Sequence, residues 1–191
     1  MYNIGVSSKI DKTQISICST AIVNNHFTLD FYNVYKRYQE ELRMIDATIL
    51  EPIESEENCI AHLDVTANYT DNVIYYGQNK IGIISYQRVN WLNDDKRPIL
   101  YIDHFYILPE FRHTGLAQAA IRVLFENNPQ YIYFFYVLEA NDNAINFWNS
   151  VLKENGLVKI KDDRCHIDDE DEKSKGMLKV IAGKRYHGQN W

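Results

Sequence analysis

Three residues that could form a binding site lie where an apolar, strand-like run gives way to a helical pattern: Arg112, Gly115 and Ala117. A helix N-terminus presents unpaired backbone N–H groups and positive partial charge, which suit an anion. Gly115 would allow a sharp turn and a close approach to the backbone, and Ala117 would leave that surface bare. The turn is therefore a candidate diphosphate site. On these residues alone, the alternative is an ordinary turn, because the glycine patterns of a Rossmann loop and of a P-loop are both missing.

The surrounding stretch, FYILPEFRHTGLA, resembles the acetyl-coenzyme A motif of the GNAT acetyltransferase superfamily. That motif is an apolar strand, then proline, then Arg/Gln-x-x-Gly-x-Gly/Ala opening a helix. A second stretch, EANDNAINFWNSVLKENGL, resembles the family's Asn-x-x-Ala-x-x-aromatic-aromatic helix, which ends in Gly-apolar. The resemblance covers residues 73–157, which are expected to be the acetyl-coenzyme A-binding core of a single domain, residues 1–191. Residues 1–70 match no motif.

The resemblance implies that acetyl-coenzyme A is the co-substrate. In the family, two neighbouring strands splay apart, and the pantetheine arm pairs with their exposed backbone as an added strand would. The diphosphate is then expected on the backbone N–H groups of the turn. The residues expected to bind this co-substrate are Phe105, Tyr106, Ile107, Arg112, His113, Thr114, Gly115, Leu116, Ala117, Gln118, Asn141 and Phe147.

Acetyl transfer to an amine needs a base, or a water acting for it, and a donor for the thioester oxygen. The family often places a carboxylate on the strand before the motif, which makes Asp103 the first candidate base and His104 the second. Strand alternation puts Asp103 on the face of Tyr101 and Phe105, unless a bulge near Phe105 exchanges the faces. The alternatives are a structural carboxylate and a packed histidine.

The sequence departs from the family at Trp148. Many members carry a tyrosine there, positioned to protonate the departing thiolate, whereas indole has no usefully acidic proton. The thiolate would then leave unassisted, or another tyrosine, such as Tyr136 or Tyr186, would supply the proton. A third interpretation is that the protein has lost efficient catalysis.

Composition excludes several classes of partner. The net charge of -6 argues against nucleic acid and anionic membranes. No apolar run is long enough to span a membrane, and the N-terminus lacks the apolar core of a signal peptide, so a cytoplasmic location is expected. Three widely spaced cysteines suit a reducing compartment and form no metal pattern.

The order of predicted elements indicates a mixed α/β or α+β sheet. The resemblance makes this a GNAT-like, mostly antiparallel sheet with splayed middle strands and helices on both faces. Asp30 and Asp142 are predicted helix N-caps, and Gly156 is a predicted helix stop. The predicted strands are 14–23, 72–80, 81–89, 99–107, 131–138, 157–161 and 176–186; the predicted helices are 27–49, 54–65, 115–127 and 142–155; and an acidic loop is predicted over 162–175.

These features favour an N-acetyltransferase acting on a primary amine of a small molecule or peptide. One alternative, suggested by Trp148, is a catalytically weak acyl-coenzyme A-binding or sensing module. Another is an unrelated α/β protein. The acidic segment 162–172 would attract cationic amines if it lies beside the acceptor, and is otherwise a solvated loop. The acceptor, the acyl chain and the oligomeric state, a homodimer included, stay open.

Overall fold

The computed structural model describes residues 10–19, 25–45, 69–89, 97–166 and 177–184. Within those residues, seven strands form one sheet and three α-helices pack against it. The strands are β1 Ile15–Ser19, β2 Tyr69–Tyr76, β3 Asn79–Val89, β4 Ile99–Ile107, β5 Ile132–Leu138, β6 Val158–His166 and β7 Met177–Lys184. The helices are α1 Asn25–Ile45, α2 Leu116–Asn127 and α3 Asp142–Glu154.

The sheet order is β1-β2-β3-β4-β5-β7-β6. Every neighbouring pair is antiparallel except β4 and β5, which run parallel. The parallel pairing of β4 with β5 follows from the chain order, because α2 connects the two strands as a crossover and returns the chain to the end of the sheet where β4 began. The predicted fold class, a mixed and mostly antiparallel sheet with helices on both faces, is confirmed.

The two faces of the sheet have separate apolar cores. On one face, Phe31 and Val34 of α1 pack with Val73 of β2 and Ile83 of β3. On the other face, α2 and α3 cover the central strands; their buried members are Leu116, Ala119, Ala120, Ile121, Leu124, Phe125, Trp148, Val151 and Leu152. Both helices place these residues at helical spacing, so each buries one apolar stripe.

Two predicted N-caps are wrong. Helix α1 begins at Asn25, so Asp30 lies inside it and instead accepts hydrogen bonds from Tyr75 at 3.1 Å and Lys80 at 2.5 Å. Helix α3 is capped by Asn141, one residue before Asp142, because the Asn141 side chain accepts from the Ala144 backbone N–H at 3.0 Å. Gly156 ends α3 as predicted, in the left-handed conformation with φ 62°.

The predicted acidic loop is partly wrong. Strand β6 continues through Asp162 and Asp163 to His166, so these two carboxylates belong to a strand paired with β7. The predicted helix at residues 54–65 and the acidic residues 167–172 lie outside the described residues.

Two irregularities meet in β4. In its pairing with β3, Ser85 is opposite His104 but Tyr86 is opposite Ile102, so Asp103 is an extra residue, a β-bulge. In its pairing with β5, the register ends at Ile102 opposite Phe135. The strands therefore separate immediately beyond this pair, and we call this point the fork.

We expect Gly82→Ala to destabilise the fold. Gly82 lies opposite Ile107, and a Cβ there would collide with the Tyr106 carbonyl oxygen, a backbone atom that cannot rotate away. Such overpacking costs about 1–3 kcal/mol. Urea denaturation should show this loss, with Gly156→Asn as the control, because no atom lies within 4 Å of a Gly156 Cβ and asparagine tolerates a positive φ. Equal stability of both variants and the wild type would contradict the packing described here.

Candidate active site

The bulge at Asp103 changes which side chains of β4 share a face. Before it, Tyr101 lies on the α1 face; after it, His104 contacts tyrosines of α1, while Phe105 packs in the core under α2 and α3. The simple alternation that groups Tyr101 with Phe105 is therefore wrong, and the exchange anticipated for a bulge near Phe105 occurs two residues earlier. One consequence is that His104 follows Tyr101 on the α1 face.

Asp103 is a partly buried carboxyl at the fork. Burial raises its pKa to about 6, and the charge of Asp71 acts in the same direction. Asp71 on β2 is itself buried, which raises its pKa to about 6, although a hydrogen bond from Ser85 at 2.5 Å opposes that shift. Two carboxyl groups that ionise near pH 6 can exchange protons at neutral pH, as a general base must.

His104 is packed rather than poised for proton transfer. Its ring lies 5.2 Å from the Tyr35 ring and 5.5 Å from the Tyr38 ring, centroid to centroid. Burial lowers the pKa of His104 to about 4, so the imidazole is neutral at physiological pH. Its Nε2 lies 3.5 Å from the Tyr35 hydroxyl, and that hydroxyl accepts a hydrogen bond from Gln39 at 2.8 Å. These contacts tie β4 to α1.

The turn before α2 has the geometry of an anion cradle. His113 and Gly115 both have a positive φ, 58° and 86°. Gly115 is the N-cap residue of α2, and α2 has no side-chain capping hydrogen bond from it. Of the first-turn N–H groups, that of Leu116 donates only a long, 3.4 Å hydrogen bond to the Thr114 hydroxyl oxygen, and the backbone hydrogen bonds within the helix begin with the Ala119 N–H. The first-turn N–H groups and the bare Gly115 therefore fit a diphosphate.

The Arg112 side chain forms hydrogen bonds within the protein. Its Nε donates to the Ile107 carbonyl oxygen at 2.8 Å, and its Nη2 donates to Glu41 of α1 at 2.7 Å. Tyr106 also donates to Glu41 at 2.8 Å, and the guanidinium carbon lies 5.0 Å from the Tyr106 ring centroid. This network fixes the turn against α1, so we expect the backbone rather than the Arg112 side chain to provide most phosphate contacts.

The α3 side of the fork is filled by aromatic rings. Trp148 stacks on Phe135 of β5 with centroids 4.0 Å apart, and it lies 5.5 Å from Phe105 of β4. Phe147 stacks on Phe105 at 5.4 Å. Trp148 is only 5% exposed, so this indole packs as a wedge between diverging strands. Trp148 therefore has a packing role, and its exclusion as an acid stays a prediction from the chemistry of indole.

On the opposite side of the fork, Tyr101 of β4 and Tyr136 of β5 face each other. Their rings are stacked, with centroids 5.5 Å apart and planes 10° apart. Sequence reasoning identifies Tyr136 as a candidate but misses Tyr101 and Asp71. The Tyr101–Tyr136 contact depends on the parallel register of β4 with β5, which sets Tyr101 opposite Phe134, two residues before Tyr136. The position of Asp71 depends on the antiparallel register of β2 with β3, which sets it opposite Ser85.

The predicted residues lie in several places. Asp103 and Tyr136 lie at the fork on its α1 face, Phe105 and Phe147 lie at the fork on its α3 face, and the turn residues 112–118 follow at the end of β4. Asn141 lies at the start of α3, where its side-chain oxygen is used as the cap. Tyr186 lies outside the described residues. In the described part of the chain, no group of three or more His, Cys, Asp and Glu side chains is arranged to hold a metal ion.

Several solved structures with a similar fold are named as acetyltransferases. One from Thermus thermophilus has a TM-score of 0.59 at 13% identity, covering 88% of this chain and 96% of that chain. A chimera of the spermidine N-acetyltransferase SpeG from Vibrio cholerae and hSSAT has a TM-score of 0.57 at 15% identity, over 88% and 94%. An aminoglycoside acetyltransferase from an uncultured soil metagenomic sample, in complex with sisomicin, has a TM-score of 0.54 at 14% identity, over 73% and 88%. Comparison with the curated proteins gave no match.

The sheet and its three helices therefore have the overall fold of these solved acetyltransferases. The model of the acetyltransferase (GNAT) family matches residues 23–152, which is more than half of the chain. The chain belongs to the acetyltransferase (GNAT) family. No helix among the described residues is long and apolar enough to span a membrane.

We expect two substitutions at Asn141 to separate capping from co-substrate binding. Asn141→Ala removes the cap and should cost about 1 kcal/mol of stability. Asn141→Asp keeps an oxygen for the Ala144 N–H but removes the amide donor, so its stability should match the wild type. If that donor binds the pantetheine arm, both variants should raise the KM for acetyl-coenzyme A several-fold, since one hydrogen bond contributes about 0.5–1.5 kcal/mol. An unchanged KM in Asn141→Asp would leave only the capping role.

Proposed function

We propose that this protein transfers an acetyl group from acetyl-coenzyme A to a primary amine of a small molecule or peptide. One observation carries the proposal: β4 has a partly buried carboxyl, Asp103, at the fork and leads directly into the N–H-rich turn before α2. A single strand thus connects a candidate base with a candidate diphosphate site. Family membership supports an acyltransferase reaction.

The co-substrate would supply the activated acetyl thioester. Backbone N–H groups at residues 115–118 would hold its diphosphate, assisted by the positive end of α2. Beyond Ile102, the edge of β4 that faces β5 has no partner in that strand. The pantetheine arm would hydrogen-bond to this edge, and one strand N–H would stabilise the oxygen of the thioester as charge develops on it.

Asp103 would act as the base. With a pKa of about 6, it is mostly ionised at neutral pH, yet it can hold a proton briefly after taking it from the attacking amine. His104 is a weaker candidate, because its pKa of about 4 and its packing against Tyr35 and Tyr38 suit a structural role.

The acceptor is proposed to be cationic before it loses its proton. Asp71 and Asp103 put two carboxyl groups near the fork, and the rings of Tyr101 and Tyr136 lie beside it. Carboxylates and aromatic faces both attract ammonium groups. The solved neighbours named for spermidine and for an aminoglycoside make polyamines and aminoglycosides the first acceptors to assay.

A second candidate function is acyl-coenzyme A binding without efficient transfer. The tryptophan at position 148 favours it, because an indole has no usefully acidic proton to give to the thiolate. Thiol release separates the two functions. Wild-type protein with acetyl-coenzyme A and a panel of spermidine, sisomicin and a peptide with a free N-terminus should release thiol above the amine-free rate. Tight coenzyme A binding with no amine-dependent release would support the second function.

We expect kcat to rise with pH through about 6, because Asp103 must be ionised to accept a proton. Asp103→Asn should remove this rise, the acidic limb of the pH–rate profile, and should lower kcat at pH 7.5 by about 100-fold or more. Asp71→Asn should move the limb to lower pH, since the Asp71 charge contributes to the raised pKa of Asp103. A pH–rate profile that keeps its limb in Asp103→Asn would assign the base elsewhere.

We expect Gly115→Val to abolish coenzyme A binding. A side chain there would fill the cradle, and its Cβ would lie 3.0 Å from Ile10 Cδ1. The matched control is Gly156→Val, which also forces a valine into a positive φ, 62° against 86°, but at the far end of α3. Both variants should lose about 1–3 kcal/mol of stability to backbone strain, with the larger loss in Gly115→Val because of Ile10, whereas only Gly115→Val should lose coenzyme A affinity in titration calorimetry. Equal coenzyme A affinity in the two variants would show that the diphosphate does not bind at Gly115.

A further inference from the structure

Glu41 of α1 connects two residues that lie at the end of β4. Its Oε1 accepts a hydrogen bond from the Tyr106 hydroxyl at 2.8 Å, and its Oε2 accepts one from Arg112 Nη2 at 2.7 Å. Burial raises the pKa of Tyr106 to about 12, and the hydrogen bond to Glu41 acts in the same direction, so the phenol keeps its proton and stays a donor. One carboxylate of α1 thus joins the last turns of β4 to the turn before α2.

Both partners of Glu41 are fixed by further contacts. The Tyr106 ring lies 5.5 Å from the ring of Tyr38, which is three residues before Glu41 and therefore on the same side of α1. The Nε of Arg112 donates to the Ile107 carbonyl oxygen at 2.8 Å, and its guanidinium carbon lies 5.0 Å from the Tyr106 ring centroid. The Arg112 side chain is therefore held at three points, by a strand carbonyl, an aromatic ring and Glu41.

The residue after this anchor has an unusual backbone. His113 has a φ of 58°, in the left-handed region that residues other than glycine seldom adopt. Such a conformation persists where the surrounding structure holds it. Arg112 is the nearest side chain along the chain that is bound to other elements, so it can hold the turn in the shape that exposes the first N–H groups of α2.

The charge of Glu41 alone would disfavour an anion at this turn. Like charges repel, and the carboxylate also offsets the positive charge of Arg112. If Glu41 acted only through its charge, its removal would therefore strengthen the binding of a diphosphate. A positioning effect has the opposite sign, because a turn that is already ordered does not have to be ordered when the ligand binds.

We propose that Glu41 is a positioning residue for the co-substrate: it holds Arg112 in place, keeps the turn in the shape that receives the diphosphate, and so raises the affinity for acetyl-coenzyme A despite its negative charge. The inference rests on the proposed function and adds to it a residue of α1 that lies outside both sequence motifs. It also gives Arg112 an indirect role, in which the side chain shapes the turn and the backbone binds the phosphates.

The decisive variant is Glu41→Gln, which keeps the size of the side chain. Its single amide oxygen can serve one of the two donors well, while its NH2 group faces the other. The Kd for coenzyme A in titration calorimetry, and the KM for acetyl-coenzyme A, should rise about fivefold to tenfold, the effect of about one hydrogen bond, with kcat changed by less than about twofold. Tyr106→Phe removes only the phenol donor and should raise both constants by a smaller factor.

The matched control is Glu110→Gln. Glu110 accepts two hydrogen bonds from Arg37, both at 3.1 Å, so this pair also joins α1 to the segment that leads into the turn. The pair is about half exposed, 46% and 52%, and exposed ion pairs contribute little. Because Glu110→Gln removes the same charge near the same turn, its Kd for coenzyme A should stay within about twofold of the wild type. Urea denaturation shows that the variants compared are folded.

A double-variant cycle tests the path through Arg112. Arg112→Gln should also weaken coenzyme A binding, and the variant with both changes should bind no more weakly than Arg112→Gln alone, because residues of one network are not additive. Additive losses would overturn the action of Glu41 through Arg112.

The outcomes separate this inference from the proposed function. Wild-type protein that binds no coenzyme A would contradict the proposed function and the inference with it. A wild type that binds coenzyme A, with a Glu41→Gln variant that binds it equally or more tightly, would overturn the positioning role alone. An equal loss of affinity in Glu110→Gln would overturn it as well, because the effect would then follow any negative charge removed near the turn.

Discussion

The separation of β4 from β5 beyond Ile102 and Phe135 is the feature on which the candidate site depends. Two parallel strands would ordinarily continue their hydrogen bonds, because unpaired backbone groups are costly when buried. Here the bulge at Asp103 turns β4 at the same position, and Trp148 packs against rings from both strands. The bend and the aromatic wedge together hold open an edge that an extended ligand can pair with.

The fork also divides the chemistry between the two faces of the sheet. One face is apolar, where α2 and α3 cover Phe105 and Phe135. The other face has two carboxyl groups that can exchange protons near neutral pH, Asp71 and Asp103, and the stacked rings of Tyr101 and Tyr136. Because the bulge adds one residue, Asp103 reaches the fork while Tyr101 and His104 both keep to the α1 face. In a regular strand, Tyr101 and His104 would lie on opposite faces, so the bulge decides which side chains accompany Asp103 at the fork.

Much of this fold could be predicted from local patterns. The apolar run at residues 131–138 and the helix after Asn141 form as expected, because their periodicity and their end residues are local properties. The faces of β4 could not be predicted, since a bulge depends on its register with β3. The Tyr101–Tyr136 pair needs the parallel register of β4 with β5, which strand alternation within one segment does not contain. The capping role predicted for Asp30 is wrong because α1 already begins at Asn25; inside the helix, the Asp30 side chain instead accepts from Lys80 of β3, a partner distant in sequence.

The central claim is that the fork and the turn before α2 form one binding surface for acetyl-coenzyme A. Amide chemical shifts followed during a titration with coenzyme A test it most directly. We expect large shifts at residues 103–107, 113–118 and 136–138, saturating with a single dissociation constant, and small shifts in β1 and at the β2–β3 turn. Saturating shifts confined to other parts of the described chain, or no shifts at millimolar coenzyme A, would contradict it.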